Sequence, residues 1–277
     1  MSRVQTCLRA VTPDNSLHEA RILVAHGLGL TSNQALFEQA RAVTVEEDSR
    51  VMSLVNRRLN HEPIAYIIGT REFWSLDFKV GLDCLIPRPD SEILVEAGLD
   101  SLPSNKPIAR VLDLGTGSGC LLLSTLHENP RAIGVGVDLS HGAVVCAKTN
   151  ALRLKLENRA HFMVGHWTSA LKGGFDLILC NPPYIRACDI AHLMPDVSLY
   201  EPHSALDGGS DGLATYREIA PQLGRQLFPK GKICIEVGKG QSDGVRKIFE
   251  GHGLVLETQR KDLGGILRCL IFANKIN

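Results

Sequence analysis

The architecture of this chain follows from one stretch, Val111-Leu112-Asp113-Leu114-Gly115-Thr116-Gly117-Ser118-Gly119, in which an apolar strand runs directly into a glycine-rich turn. A helical run at residues 121–128 follows at once, so the turn lies at the N-terminus of a helix. Glycine at such a place lets a ligand approach the backbone closely. From Arg110 onward apolar strands alternate with helical stretches, which is typical of a parallel sheet covered on both faces.

The strands of this sheet can be placed by the same alternation. They are predicted at residues 111–114, 133–138, 161–164, 177–180 and 232–237. Two further apolar runs, 254–260 and 267–273, are separated by Leu263-Gly264-Gly265 without a helix between them. These two runs predict a terminal hairpin, so one strand of the sheet should be antiparallel.

The residues before the sheet are predicted to form short helices. Ser16-Leu17-His18-Glu19 and Thr44-Val45-Glu46-Glu47 both match the capping box that begins a helix, and each opens a periodic apolar face. Alternation over residues 72–80 predicts a strand or hairpin, and Ile86-Pro87-Arg88-Pro89-Asp90 predicts a stiff link into a helix. We therefore expect a helical domain at residues 1–70, a hairpin and linker at 71–92, and a sheet domain at 93–277.

The composition is that of an ordinary soluble protein. Its 277 residues are 44% apolar, and 30 basic residues balance 30 acidic ones, so no overall positive field favours nucleic acid. Eight cysteines are scattered without a CxxC pair, which favours reduced thiols and a cytoplasmic location. The histidines and cysteines lack metal-binding spacing, so no metal is predicted. Neither a signal-peptide layout nor a run of transmembrane length is found, so we expect no membrane association.

The glycine-rich turn predicts a nucleoside cofactor other than a dinucleotide. The dinucleotide fingerprint needs a third glycine where this chain has Cys120. Asp138 ends the next strand, where a carboxylate can accept both ribose hydroxyls of an adenosine, and this combination suggests S-adenosylmethionine. The residues expected to hold it are Gly115, Thr116, Gly117, Ser118, Gly119, Asp138, Trp167 and Asn181. The alternative is a mere tight turn, with Asp138 and Ser140 both serving the start of the next helix.

Two further stretches belong to the same predicted site. Trp167 follows the third strand and can cover an adenine ring with its flat apolar surface, although a core tryptophan is the alternative. Asn181-Pro182-Pro183-Tyr184 follows the fourth strand. Because the carboxyl ends of parallel strands meet at one edge of a sheet, Asn181, Asp138 and the glycine turn should line one crevice.

The tetrapeptide itself indicates what is modified. Each proline fixes its own φ and pushes the preceding residue toward extended geometry, so Asn181 and Pro182 project their oxygens from a stiff backbone. Two acceptors so placed can hold both hydrogens of an –NH2 group, which points to methylation of a nitrogen. Taken alone, the tetrapeptide could be only a Pro-Pro turn.

Together these residues resemble the PrmC (HemK) family of protein-(glutamine-N5) methyltransferases, which modify peptide chain release factors in translation termination. The similarity runs nearly end to end. The stretches that carry it are Glu62-Pro63-Ile64-Ala65-Tyr66-Ile67-Ile68-Gly69, Arg71-Glu72-Phe73-Trp74, Leu85-Ile86-Pro87-Arg88-Pro89-Asp90-Ser91-Glu92, Asp113 to Gly119, Asn181 to Tyr184, Tyr200-Glu201-Pro202, Ala205-Leu206 and Gly208-Gly209-Ser210-Asp211-Gly212-Leu213.

The resemblance implies an α/β, class I S-adenosylmethionine-dependent methyltransferase fold, with a doubly wound, seven-stranded mixed sheet preceded by a small helical bundle. The bundle would grip the protein substrate, and the acceptor would be the glutamine of a release factor's Gly-Gly-Gln loop. S-adenosyl-L-homocysteine would be the product, and we expect a monomer that binds no nucleic acid stably. In one departure, the family often has an acidic residue just before its tryptophan, whereas this chain has His166.

The expected chemistry relies on alignment and charge stabilisation, because the lone pair of a glutamine amide nitrogen is delocalised into its carbonyl. We expect Asn181 Oδ1 and the Pro182 carbonyl to accept the two N–H bonds of the acceptor. Proton loss can follow methyl transfer. We expect Tyr184 to pack beside the planar amide and, with Pro183, to complete the acceptor slot.

Several alternatives stay open at this stage. Glutamine methylation of a ribosomal protein would use the same chemistry, and adenine-N6 methylation of nucleic acid shares the tetrapeptide. A noncatalytic cofactor-binding or translation-factor interaction module is a third possibility. Arg88 and Glu201 are secondary candidates for ordering the site or contacting the acceptor, but an arginine between prolines can equally be a structural salt-bridge partner.

Overall fold

The structure, a computed structural model, describes residues 1–37, 41–104 and 106–275. The chain divides into two units. The first consists of Met1–Thr70 together with Met194–Tyr200, and the second of Arg71–Leu193 and Glu201–Asn277. Residues 71–92 thus fold with the sheet, and Met194–Tyr200 joins the helical unit, which the sequence did not indicate. Among the described helices, none has the length and apolar character needed to cross a membrane.

The first unit is helical. Its helices are α1 (Ser2–Leu8), α2 (Ser16–Gly27), α3 (Ser32–Phe37), α4 (Val45–Leu59), α5 (Ile64–Ile68) and the short helix at Pro195–Ser198. The predicted periodic faces of α2 and α4 meet, because Leu23, Val51 and Val55 are buried in one cluster with Leu8.

The two predicted capping boxes have different outcomes. The one at α4 is confirmed: Glu47 N–H donates to Thr44 Oγ1 at 3.2 Å, and Thr44 N–H donates to Glu47 Oε2 at 3.0 Å. The one at Ser16 is wrong, because Ser16 is already inside α2 and its hydroxyl donates to the Pro13 carbonyl. The Glu19 carboxylate instead accepts from Arg58, so it neutralises a buried cation rather than capping the helix.

Arg58 also explains why Met194–Tyr200 belongs to this unit. Its side chain is only 6% exposed, and besides Glu19 at 2.8 Å it faces Asp196 at 3.8 Å. The Tyr200 hydroxyl donates to the Asn60 carbonyl at 2.7 Å, just after α4. A buried guanidinium needs paired charge, so these contacts hold the later segment on the helical unit.

The second unit begins with a hairpin, as predicted. Strands β1 (Thr70–Phe73) and β2 (Leu76–Lys79) pair, and Trp74 and Ser75 form the turn with φ of 54° and 56°. Its apolar residues Phe73 and Phe78 are buried. A short 3₁₀ turn, Pro89–Ser91, then leads into α6 (Glu92–Ser101).

The predicted mixed sheet is confirmed. Within the described residues of this unit, seven strands form one sheet: β3 (Ala109–Leu114), β4 (Ala132–Asp138), β5 (Ala160–Val164), β6 (Phe175–Cys180), β7 (Leu227–Glu236), β8 (Leu254–Lys261) and β9 (Leu267–Asn274). Their order is β5-β4-β3-β6-β7-β9-β8, and β9 runs antiparallel to both of its neighbours. The intervening helices are α7 (Cys120–Glu128), α8 (His141–Arg153), α9 (Ala187–Ile190), α10 (Pro195–Ser198, in the first unit), α11 (Ala214–Leu223) and α12 (Ser242–Glu250).

Helices cover both faces of this sheet. Alternate residues of the central strands point to opposite faces, so Val111 belongs to a cluster with α6, α7 and α8, while Leu112 belongs to one with α11 and α12. The chain leaves β3 toward β4 and β5, then returns to place β6 on the other side of β3. This reversal creates a switch point at the carboxyl ends of β3 and β6, where open α/β sheets bind ligands.

One boundary differs substantially from the prediction. The strand predicted at residues 232–237 begins earlier, because β7 starts at Leu227 and runs through Lys230-Gly231-Lys232. Lys230 has a φ of 69°, and the β6–β7 register shifts between Phe175 and Leu177. An irregularity inside a strand carries the same residue types as a turn, so the sequence pattern did not distinguish the two.

Candidate active site

A cavity of about 420 Å³ opens at the switch point of the sheet, within the second unit. Its wall combines the turn after β3, the ends of β4 and β6, and the link before α6. The predicted site residues on the wall are Gly115, Thr116, Gly117, Ser118, Asp138, Trp167, Asn181 and Pro183. The predicted cofactor residues and the predicted acceptor residue Asn181 therefore line the same cavity.

The glycine turn is held by the neighbouring strand. The N–H groups of Gly115 and Thr116 both donate to the Val137 carbonyl, at 2.9 and 3.1 Å. Gly117 has a φ of 54°, and a Cβ at this position would meet nothing within 4 Å, so its backbone faces open space. Gly119 is not on the wall; it precedes α7, and a Cβ there would press on Leu123.

The buried carboxylate of Asp113 holds the glycine turn through Thr116. Thr116 Oγ1 donates to Asp113 Oδ2 at 2.6 Å, and Asp113 is fully buried. Burial raises the pKa of Asp113 to about 7, against the opposing effect of the Thr116 hydrogen bond. The side chain of Thr116 is therefore committed to the interior, which leaves backbone groups to face the cavity.

Asp138 is pre-oriented by backbone donors. Its Oδ2 accepts the Gly117 N–H at 2.8 Å, and its Oδ1 accepts the Ser140 N–H at 2.9 Å. Burial raises its pKa, and these two hydrogen bonds oppose that rise. Ser140 caps α8 through Ala143 N–H, so the start of that helix has its own cap. The two remaining lone pairs of the Asp138 carboxylate can accept further donors.

Trp167 is both a core residue and part of the cavity wall. Its ring packs against the apolar cluster under α11. The indole N–H is buried and has no hydrogen-bond partner among the described residues. His166 Nε2 lies 3.1 Å from Glu218 Oε1, and both residues are on the wall. A carboxylate therefore reaches this end of the cavity from α11, beside His166.

Asn181 sits where the fully buried strand β6 ends. Its Nδ2 donates to Ser91 Oγ at 3.1 Å, so this side of the amide is already used. The other side, Oδ1, makes no hydrogen bond to the described residues. Ser91 is 3% exposed and lies in the 3₁₀ turn before α6. The link between the hairpin and α6 thus contributes directly to the orientation of the tetrapeptide.

Pro182 and Tyr184, unlike Asn181 and Pro183, are not on the cavity wall. Pro182 is buried. The Tyr184 hydroxyl donates to Glu236 Oε1 at 3.3 Å, and its carbonyl accepts from Gln241 Nε2 at 2.9 Å. A Cβ on Gly208 would lie 2.8 Å from the Tyr184 backbone, so that close approach requires glycine.

Two residues of this region were missed from the sequence, Ser91 and Glu236. Glu236 ends β7 and is 1% exposed. Burial raises its pKa to about 7, while Ser91, Arg268 and Tyr184 act in the opposite direction. Glu236 could have been found in the sequence, because it is the one acid in the otherwise apolar run 233–237. A buried acid in such a run needs a polar partner, which marks it as a candidate for a specific role.

Arg88 and Glu201 form an ion pair. Glu201 is almost fully buried, and its second oxygen accepts the Ile86 N–H at 3.1 Å. The Arg88 side chain remains 36% exposed and reaches the cavity wall. Glu201 therefore anchors the link segment, and Arg88 is held at the cavity by that anchor.

Known proteins resemble this chain over nearly its whole length. Residues 1–69 match the PrmC N-terminal domain family, and residues 90–196 match the methyltransferase small domain family. The chain is 46% identical over 264 residues to the release factor glutamine methyltransferase of Rhodospirillum rubrum, covering 95% of this chain and 81% of the relative.

Two more comparisons agree in family and in fold. The release factor glutamine methyltransferase of Bradyrhizobium diazoefficiens is 41% identical, over 95% of this chain and 90% of the relative. A methyltransferase structure from Pyrococcus furiosus matches with a TM-score of 0.55 at 17% identity, over 83% of this chain and 99% of that one. The latter supports the class I methyltransferase fold alone. Identity at this level over this share of both chains shows that the protein belongs to the release factor glutamine methyltransferase family.

Proposed function

We propose that this protein transfers a methyl group from S-adenosylmethionine to the side-chain amide nitrogen, N5, of the glutamine in the Gly-Gly-Gln loop of peptide chain release factors. Family membership supports the acceptor, and one observation supports the chemistry. The Asn181 amide is tied through Nδ2 to Ser91 at the cavity wall, which leaves Oδ1 as a rigid acceptor. An –NH2 group is the natural partner of such an oxygen.

Three features of the cavity support S-adenosylmethionine as the methyl donor. Gly117 presents its backbone to open space, Asp138 keeps two carboxylate lone pairs for ribose hydroxyls, and the Trp167 indole offers an apolar surface with an unpartnered buried N–H. When bound, S-adenosylmethionine supplies an electrophilic methyl group on a sulfonium. Gly115, Thr116 and Ser118 would line the same pocket, whereas Gly119 would act by starting α7.

Asn181 and Pro182 would align the acceptor amide. Asn181 Oδ1 would accept one N–H of the amide at the cavity wall, and the carbonyl of Pro182, a buried residue outside the wall, would accept the other. Both bonds would favour developing positive charge on the nitrogen and direct its lone pair toward the donor. Acceptors fixed before the reaction need no reorganisation, so this stabilisation is largest at the transition state. The proton leaves after methyl transfer, so no strong base is needed beforehand.

Pro183 would complete the acceptor slot, and Tyr184 would support it from outside the cavity wall. Pro183 is on the cavity wall, and Tyr184 is held from behind by Glu236 and Gln241. Because Tyr184 is hydrogen-bonded to Glu236 and Gln241, it would keep the backbone of the tetrapeptide rigid beside the bound glutamine amide. Arg88, which is paired with the buried Glu201 and lines the cavity, would contact the backbone of an entering loop.

The helical unit would grip the release factor outside the loop. Its surface includes two large apolar side chains, Met194 at 68% and Leu199 at 69% exposed, in the segment that Arg58 and Asn60 hold. Exposed apolar residues on an ordered segment favour a protein partner over nucleic acid. All eight cysteines are free thiols, which supports a cytoplasmic location, and we propose that the enzyme acts as a monomer without stable nucleic acid.

The test is to incubate the protein with S-adenosylmethionine labelled in its methyl group and, separately, purified release factor, ribosomal proteins or nucleic acid, and to map the labelled atom. We expect label on N5 of the loop glutamine. A release factor with glutamate at that position should remain unlabelled, and Asn181→Ala should label the native release factor far more slowly than the wild type. Preferential labelling of a ribosomal protein, or of adenine N6, would overturn the proposal.

A further inference from the structure

Asn150 is a buried polar residue of α8 that the chemistry above does not use. It is 0% exposed and is not part of the cavity wall. Its Oδ1 accepts the Lys79 N–H at 2.7 Å, and its Nδ2 donates to the Lys79 carbonyl at 2.9 Å and to the Ser118 carbonyl at 2.8 Å. Both hydrogens of the amide are therefore committed to main-chain carbonyls of two other segments.

These two segments form separate parts of the cavity wall. Ser118 belongs to the glycine turn and lies on the wall. Lys79 ends β2, and residues 80–91, which we call the link, follow it and lead to α6. The link contributes to the wall the residues Asp83, Cys84, Leu85, Pro87, Arg88 and Ser91. Asn150 thus joins the glycine turn to the segment from which the link starts.

One face of α8 holds the start of the link. Gly142, Cys146 and Asn150 are four residues apart and so lie on the same side of the helix. A Cβ on Gly142 would overlap the Asp83 carboxyl, and Cys146 Sγ donates to the Lys79 carbonyl at 3.1 Å. The helix therefore carries the chain from Lys79 to Asp83, and Asn150 extends this support to the glycine turn.

The glycine turn needs such a support because its own residues restrict it little. Gly117 and Gly119 have φ of 54° and 82°, and glycine populates many other conformations as readily. The Gly119 N–H donates to the Thr116 carbonyl at 2.8 Å, and Asn150 holds the Ser118 carbonyl of the same peptide group. That peptide group is thus fixed at both of its polar atoms, which determines the direction of the turn.

We propose that Asn150 is a positioning residue that holds the glycine turn and the link at the separation which the methyl donor requires. The inference rests on the proposed function, because it takes S-adenosylmethionine as the ligand between them. Asn150 itself touches neither the donor nor the acceptor in this arrangement.

Asn150→Ala tests the proposal by calorimetric titration with S-adenosylhomocysteine. Three hydrogen bonds that order the site are lost, so the Kd should rise about 10- to 100-fold. Calorimetry separates this from a purely structural role, because unfolded protein lowers the binding stoichiometry while the folded fraction keeps its Kd. A Kd equal to that of the wild type would overturn the proposal.

Steady-state kinetics supply a second signature. Asn150→Ala should raise KM for S-adenosylmethionine by a similar factor, while kcat at saturating donor stays within about threefold of the wild type, since only donor binding is weakened. This pattern is the opposite of that expected for a residue that aligns the acceptor. A loss confined to kcat would contradict the assigned role.

Cys146→Ala is the matched control. Cys146 lies on the same face of α8 and contacts the same Lys79 carbonyl, but its hydrogen bond does not reach Ser118. The bridge through Asn150 stays intact, so the Kd should remain within about threefold of the wild type. A rise equal to that in Asn150→Ala would mean that the hold on Lys79 alone sets the affinity, and it would overturn the bridging role.

Hydrogen exchange in the wild-type protein tests the bridge without any variant. The Lys79 amide, which donates to Asn150, lies outside the cavity wall and can be followed by NMR. With S-adenosylhomocysteine at about 100 times its Kd, exchange at Lys79 should slow at least about tenfold more than at Leu256 in β8, because the ligand opposes local opening of the bridge. Equal slowing at both amides would overturn the inference, whereas absence of ligand binding to the wild type would count against the proposed function.

Discussion

Replacing Asp138 by asparagine should specifically weaken adenosyl-ligand binding. The carboxylate has about four lone-pair sites, and the N–H groups of Gly117 and Ser140 occupy one on each oxygen. Two sites are therefore left for ribose hydroxyls. In Asp138→Asn one oxygen becomes an NH2 group, so at least one ribose hydroxyl loses its acceptor and one backbone N–H faces another donor.

The magnitude follows from the lost bond. A hydrogen bond to a charged group contributes about 1.5–3 kcal/mol, so the Kd for S-adenosylhomocysteine should rise about 10- to 150-fold. Calorimetric titration measures this, and Asp243→Asn, which changes an 83% exposed side chain, is the matched control. The 2′,3′-dideoxy form of the ligand should bind the wild type more weakly but should discriminate little between wild type and Asp138→Asn. A Kd for Asp138→Asn within threefold of the wild type would refute the assigned role.

Three other perturbations have defined outcomes. Asn181→Ala should lower kcat by about 10²- to 10³-fold while calorimetry shows near-normal S-adenosylhomocysteine affinity, because it removes transition-state alignment only. Arg58→Ala should destabilise the protein by about 3–5 kcal/mol in urea unfolding, since Glu19 is left buried without its partner, and equal stability would contradict this. Asp113 has a folded pKa of about 7, above the value for an unfolded chain, so it stabilises the fold fully only at low pH and that contribution is lost as pH rises through 7. Urea unfolding free energies should therefore fall less steeply from pH 4.5 to 8 in Asp113→Asn than in the wild type; equal slopes would refute the assignment.

The sequence predicted those parts of the fold that depend on local pattern. Runs of alternating or continuous apolar residues located every strand, because a buried strand is apolar over its whole length. Asp138 and Asn181 could be placed in one crevice because each lies at the carboxyl end of such a strand, and the carboxyl ends of parallel strands meet at one edge of the sheet. The irregular β7 was misjudged because its residues 229–231 have turn chemistry within a strand.

Contacts between distant residues could not be predicted in this way. Ser91 and Asn181 are 90 positions apart, and nothing in a short stretch indicates that their side chains meet. The same holds for Glu19, whose spacing from Ser16 fits a capping box although its partner is Arg58. A local sequence pattern indicates which interactions a side chain is able to make, but its actual partner depends on the tertiary structure.

The membership of Met194–Tyr200 in the helical unit affects how this protein can be dissected. The polypeptide passes between the two units at residues 70–71, 193–194 and 200–201. A fragment starting at Arg71 would therefore retain a seven-residue insert deprived of its ion pair with Arg58 and its hydrogen bond to Asn60. Conversely, residues 1–70 produced alone would lack Met194–Tyr200, which can be supplied in trans as a synthetic heptapeptide. Swapping the helical unit between relatives requires exchanging both pieces together.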